Sequence, residues 1–259
     1  MRTLAVIPAR LGATRLPRKP LRLLAGQPLI IRVWEHVLAM DIVDRVVVAT
    51  DSGEIASVVA EAGGTVAITR PDHPSGTDRV AEVALGADGD YTTFDVVVNV
   101  QGDEPFIPAE AIRGARDMVA ESGFDLGTAA VRAESSILSD PDVVKVVCAD
   151  DGRALYFSRA AIPHLRHPSD TDARERLVRQ HLGVYAYTRA ALARWVALSA
   201  HPLEVSERLE QLRPLAAGMS MGVALVDARA PIAVDTEEDL MRANAYWETR
   251  FAGRSEHAA

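Results

Sequence analysis

Residues 96–107 read VVVNVQGDEPFI. Val96, Val97, Val98, Asn99 and Val100 have the near-continuous apolar character of a strand buried on both faces. Gln101, Gly102, Asp103, Glu104 and Pro105 follow. Glycine allows a sharp turn, and proline cannot continue a strand ladder. Two carboxylates therefore stand just past the C-terminal end of an apolar strand. In open α/β sheets the crevice outside those ends is where ligands bind.

The flanking chain repeats the pattern. TLAVIP (3–8), RVVVAT (45–50) and TVAIT (65–69) read as strands. Helices are predicted from PLIIRVWEHVLAM (28–40), DSGEIASVVAEAG after a cap near Asp51 or Ser52, SGTDRVAEVALGA, and PAEAIRGARDMVAE with proline in its first turn. Strand–helix alternation implies an α/β, doubly wound, mostly parallel Rossmann-like sheet. From about residue 125 the rhythm changes. LGTAAVRA, DVVKVVCAD, ALYFSR and HLGVYAYT read as strands with few helices between, and DDGRAL as a hairpin turn. HPSDTDARER (167–176) reads as a loop or weak helix, and AGRSEHAA as a frayed tail. Helices are expected at 189–198 and about 203–217, a strand at 220–228, and a last helix at 235–250 capped by Asp235 or Thr236.

The chain has 259 residues, 48% hydrophobic and 25% charged, which are ordinary globular values. One cysteine, Cys148, excludes an internal disulfide framework and suits a reducing compartment. The apolar run at the N-terminus is too short for a signal peptide, and no stretch of 18 apolar residues predicts a membrane span. A net charge of −8 argues against a nucleic-acid surface. The charge is uneven: residues 1–34 carry seven cations and no acid, which leaves −15 for the rest. That basic segment reads either as a seat for a compact anion or as a solvated loop. Lys19 and Lys145 are the two lysines among 28 basic residues. A surviving lysine suggests a site where a compact charge is preferred to a planar fork.

The loop ARLGATRLPRKP follows the first strand. It has one glycine, Gly12, and four cations, Arg10, Arg15, Arg18 and Lys19. It is neither G-x-G-x-x-G nor G-x-x-x-x-G-K-[ST], so it fits neither a dinucleotide fingerprint nor a P-loop. Cationic side chains suit a nucleoside triphosphate whose phosphates are being transferred. Such a ligand needs Mg²⁺, which favours oxygen donors and often takes one or two carboxylates. Asp103 can supply one. Asp235, in APIAVDTEEDL, can supply a second or can be a plain helix cap.

Together IPARLGATRLPRKPL, VATD, SGTDRVAE, VNVQGDEPFI, VKVV, ALYFSR, HLGVYAY, LEQLR and VDTEEDL resemble the 3-deoxy-manno-octulosonate cytidylyltransferases, in the family's order from residue 7 to about 243. The first motif is shared with other cytidylyltransferases for acidic sugars; VQGDEP, HLGVYAY and LEQLR single out the Kdo enzymes. The resemblance implies a single nucleotidyltransferase domain over 1–259. A smaller lobe at about 130–190 is implied to close over the sugar and to help form a homodimer. It also implies transfer of CMP from CTP to 3-deoxy-D-manno-octulosonate (Kdo), with Mg²⁺, in a Gram-negative cytoplasm. The substrate alternatives are 8-amino-Kdo and sialic acids.

The resemblance also assigns residues. Ala9, Arg10, Arg15 and Lys19 match the triphosphate loop, and Asp103 and Asp235 the magnesium carboxylates. Ser75, Gly76 and Thr77 match positions near the cytidine, and Gln101 the nucleotide or sugar. Arg79 is implied at the sugar carboxylate. Arg159, His181, Tyr185, Glu210 and Gln211 match sugar-binding positions. Read without the family, His181 is a strand-edge histidine, and one of Tyr185 and Tyr187 is core. Glu210 then contacts Arg213 along an exposed helix, and Arg79 faces solvent. The sequence departs from the family pattern at Arg18, where many members have glycine, and ahead of Val234-Asp235, which lacks the expected glycine.

Overall fold

The computed structural model describes residues 1–12, 15–86, 91–167 and 176–251. Segment 168–175, which holds most of the polar stretch read as loop or weak helix, and the tail 252–259 lie outside them.

The predicted strands form one nine-stranded sheet. Its strands are β1 (Thr3–Ala9), β4 (Arg45–Thr50), β5 (Thr65–Ile68), β6 (Val96–Asn99), β7 (Leu126–Arg132), β8 (Lys145–Cys148), β9 (Ala154–Ser158), β10 (Arg179–Thr188) and β11 (Met221–Val226). A small hairpin of β2 (Leu23–Leu24) and β3 (Gln27–Pro28), not evident in the sequence, stands apart. The main path runs β11-β7-β10-β6-β1-β4-β5. β1 pairs parallel with β4 and β6, β4 with β5, and β7 with β11. β10 is antiparallel to both β6 and β7, so along this path it alone runs against the rest.

The helices lie on both faces. Helices α1 (Leu29–Ala39), α2 (Gly53–Glu61), α4 (Ala109–Ala120) and α8 (Glu237–Phe251) bury Val33, Ile55, Ile112 and Leu240 in one core with Ile7 and Val98. Helices α3 (Gly76–Leu85) and α5 (Arg189–Ala197) bury Val80, Leu192 and Trp195 in the other, with Val6 and Val97. Successive residues of β1 and β6 therefore enter opposite cores, which is why these strands read as unbroken apolar runs.

Two expectations are corrected. The single helix at about 203–217 is two short ones, α6 (Pro202–Glu207) and α7 (Leu212–Ala216). Arg208 between them has φ 55, a left-handed conformation that interrupts a right-handed helix. Pro108 is the residue before α4 and not within its first turn. The hairpin turn in DDGRAL is present: Gly152 at φ +85 joins antiparallel β8 and β9. These two strands lie off the main path, between β7 and β10 in sequence.

Candidate functional site

Because β1, β5 and β6 run the same way, the loops after Ala9, Ile68 and Asn99 emerge on one edge of the sheet. They bound a cleft of about 440 Å³. The first loop contributes Arg10, Arg15 and Lys19, the second His73, Ser75 and Gly76, and the third Gln101 and Asp103. Glu210 and Asp235 reach it from more distant segments.

The first loop is anchored by Leu16, which is 1% exposed, and by a tight turn over Lys19–Leu21 with Pro20 buried. Arg18 opens that turn at φ 57, ψ 31. The left-handed region disfavours every residue with a Cβ, so a glycine there relieves the backbone. Arg18 instead carries a guanidinium that pairs with Glu54 in the first turn of α2.

The third loop is held by contact. A Cβ on Gly102 would stand 2.9 Å from the Pro8 carbonyl oxygen, so only glycine lets β1 approach the loop this closely. The turn-forming property read from the sequence is secondary to that approach. The Val234 N–H donates to the Asp103 carbonyl over 2.9 Å, and Val234 is fully buried. This bond, without a glycine ahead of it, sets Asp235 beside Asp103. Asp235 is not the cap of α8: Thr236 Oγ1 accepts from the Asp239 N–H, while the Asp239 carboxylate accepts from Thr236. The Asp235 carboxylate is thereby left to face the cleft.

Lys19 joins these parts. Its Nζ donates to Asp103 Oδ2 over 2.5 Å and to Asp235 Oδ1 over 2.9 Å. Burial disfavours the ammonium, but Asp103 and then Asp235 outweigh it and raise the Lys19 pKa. Arg15 reaches the other Asp235 oxygen over 3.1 Å. Two carboxylates from distant parts of the chain thus converge on one small cation. Such an all-oxygen donor pair fits a hard divalent ion that completes its shell with phosphate and water. Among the described residues no cluster of three or more His, Cys, Asp or Glu side chains could hold a metal ion.

At the opposite wall Ser75 caps α3, its Oγ accepting from the Asp78 N–H. Thr77 Oγ1 donates to Glu210 Oε2 over 2.9 Å. Burial pushes the Glu210 carboxyl up, against the hydrogen bonds from Thr77 and Ser75. Glu210 does not pair with Arg213, whose guanidinium forks onto Glu204 instead.

Arg79 is 3% exposed, so it does not face solvent. It borders the cleft, but its guanidinium is engaged by Thr69, the Arg70 carbonyl and Asp51. Arg159, His181, Tyr185 and Gln211 lie outside the cleft lining. Arg159 donates to the carbonyls of Glu207 and Pro141 over 2.9 Å each. His181 Nε2 lies 2.9 Å from Thr128 Oγ1, and its ring meets Phe157 edge-on and Tyr185 at a tilt. Burial lowers its pKa to about 3, so the ring is neutral. Of the two tyrosines, Tyr187 is the fully buried one. Gln211 is buried at the start of α7. Lys145 is fully buried, and its ammonium donates to the carbonyls of Asp140, Val143 and Arg159. That second lysine is a structural tie.

Sequence reasoning missed His73. Its ring is pinned by Glu82 and borders the cleft. Its signal was positional, since HPSG lies between a parallel strand and the next helix, as the other site loops do.

The chain is similar to known proteins in sequence and in fold. A family model described as "Cytidylyltransferase" matches residues 4–221. The 3-deoxy-manno-octulosonate cytidylyltransferase of Gemmatimonas aurantiaca is 58% identical over 255 residues, covering 98% of each chain. That of Azorhizobium caulinodans is 49% identical, covering 93% of this chain and 94% of its own. A solved CMP:2-keto-3-deoxy-manno-octonic acid synthetase, complexed with CTP, superposes with a TM-score of 0.86 at 35% identity, covering 96% of this chain and 99% of its own.

Proposed function

This chain belongs to the 3-deoxy-manno-octulosonate cytidylyltransferase family, and on that premise we propose that it transfers CMP from CTP to Kdo for lipopolysaccharide synthesis. The products are CMP-Kdo and pyrophosphate. The observation that carries the reading is Lys19 Nζ held at 2.5 and 2.9 Å from Asp103 and Asp235, in a cleft lined by Arg10 and Arg15.

The roles follow from charge and position. Arg10, Arg15 and Lys19 neutralise the triphosphate, and Ala9 lines the same cleft. Asp103 and Asp235 hold the divalent ion, assigned as Mg²⁺, which when bound offsets phosphate charge at the reacting centre. Ser75 and Gly76 lie against the nucleoside, while Gln101 and Glu210 offer amide and carboxylate groups to sugar hydroxyls. The C2 hydroxyl of Kdo forms the new oxygen–phosphorus bond in line at the α-phosphorus. Its proton is lost as the bond to the pyrophosphate oxygen breaks. Holding the reactants in line and neutralising charge are the protein's main contributions.

Arg79, which already borders the cleft, and Arg159, His181, Tyr185 and Gln211 are assigned to the sugar side, and closure of the segment at about 130–190 is proposed to bring Arg159, His181 and Tyr185 closer. A homodimer formed through that segment is part of the same reading, and sedimentation tests it. The enzyme is assigned to the cytoplasm. Pyrophosphate release is the direct test. It is expected only when CTP, Mg²⁺ and Kdo are all present, and no release with all three together overturns the reading.

A further inference from the structure

Asn99 is the one polar residue of the strand VVVN, and it is 1% exposed. It shares a face of β6 with Val97, since alternate residues point the same way. Tyr187 of β10, opposite Val97, is fully buried, and Thr77 in the first turn of α3 is 4% exposed. None of the three lines the cleft. Asn99 and Thr77 are nonetheless each bonded to a residue that does, and Tyr187 lies between them.

The bonds form a directed chain. Gln101 Nε2 donates to Asn99 Oδ1 over 3.3 Å, and Asn99 Nδ2 donates to the Tyr187 hydroxyl over 3.4 Å. The Thr77 side chain also lies near the Tyr187 hydroxyl, close enough to act on it as a polar neighbour. Thr77 Oγ1 donates to Glu210 Oε2 over 2.9 Å. A carboxylate accepts only. Thr77 must therefore spend its proton on Glu210 and can face Tyr187 only as an acceptor. Tyr187 must then accept from the Asn99 amide nitrogen, which leaves the Asn99 oxygen to receive Gln101. The Glu210 carboxylate on one wall thus fixes which way the Gln101 amide points on the other.

We propose that Tyr187, with Asn99 and Thr77, is a positioning residue that locks Gln101 and Glu210 in matched orientations for a polyhydroxylated acidic sugar. The proposal rests on the Kdo-transfer reading above. A polar chain through an apolar core is costly unless every member is satisfied, and here each member has its partner. Cutting it in the middle releases both ends without touching a substrate-facing group.

The test is steady-state kinetics of Tyr187→Phe, which deletes one hydroxyl and keeps the ring. Leaving a buried partner unsatisfied predicts a rise of about tenfold in KM for Kdo. KM for CTP is expected to stay within about twofold, since no link of the chain touches the triphosphate loop. Thr77→Val should reproduce the effect, and Thr77→Ser, which restores the hydroxyl, should reverse it. In a Gln101→Ala background Tyr187→Phe should add little, because the amide it orients is gone. Three results overturn the proposal: a Kdo KM within twofold of wild type, equal losses for both substrates, or full additivity with Gln101→Ala. A wild-type enzyme that does not turn over Kdo overturns the functional reading itself. A working wild type with an indifferent Tyr187→Phe overturns this proposal alone.

Discussion

Lys19→Ala removes the one ammonium that two carboxylates share. At about 3 Å and an effective dielectric near 20, each attraction has a gross value of about 5 kcal/mol. Desolvation of a largely buried lysine offsets much of this, and Asp235 is 37% exposed, which screens its share. A net stability loss of about 1–3 kcal/mol remains. For a chain of this length that is several degrees of Tm, at about 2–4 °C per kcal/mol. The catalytic loss should be larger, about 10²–10³ in kcat, because the cation faces charge that builds on the departing phosphates. The assay pairs pyrophosphate release with a thermal melt, each with and without Mg²⁺. Without the lysine, Asp103 and Asp235 have no shared counterion, so added Mg²⁺ should raise the variant's Tm more than the wild type's. Turnover within about threefold of wild type would refute the role given to Lys19. So would a melt so low that the variant is unfolded in the assay.

Asp103→Asn should abolish turnover while the circular-dichroism spectrum stays native, since Asp103 is solvent-accessible and its backbone carbonyl still accepts from Val234. Gly102→Ala places a Cβ 2.9 Å from the Pro8 oxygen and should cost about 1–3 kcal/mol, read as a lowered denaturant midpoint together with reduced kcat. Arg18→Gly should raise Tm slightly. Relief of a left-handed residue is worth about 1–2 kcal/mol, against at most about 1 kcal/mol lost with the exposed Glu54 pair. His181 has a folded pKa of about 3, below its ordinary value near 6.5. Its neutral form is the folded one, so its contribution is complete above pH 6.5 and is lost as pH falls toward 3. By pH 5 the loss is about 1–2 kcal/mol, and His181→Gln should flatten the stability slope across that window.

Much of this arrangement is legible in the sequence because local pattern and tertiary role coincide. The valine runs at 45–50 and 96–100 are strands because each is buried on both faces. The loops that follow β1 and β6 carry their charge where the topology needs it. Other features depend on distant contacts. No local signal separates Asp235 as a helix cap from Asp235 as a cleft carboxylate. The bond from Val234 to Asp103, across the fold, decides it. Arg208 breaks an otherwise helical stretch by adopting a conformation that arginine does not advertise. Arg79 and Arg159 look like free cations in the sequence, yet protein oxygens already occupy much of their guanidinium groups. Asn99, Tyr187 and Thr77 look like ordinary strand and helix residues until their hydrogen bonds are traced.

The most direct test is pyrophosphate release from CTP and Mg²⁺ with Kdo, 8-amino-Kdo and N-acetylneuraminate compared side by side. Release with Kdo, and at most weak release with the other two, is the predicted result. Release with N-acetylneuraminate in preference to Kdo would contradict the sugar-side assignments of Gln101 and Glu210. Silence with all three would contradict the assignment of Asp103, Asp235 and Lys19 as a working nucleotidyl-transfer centre.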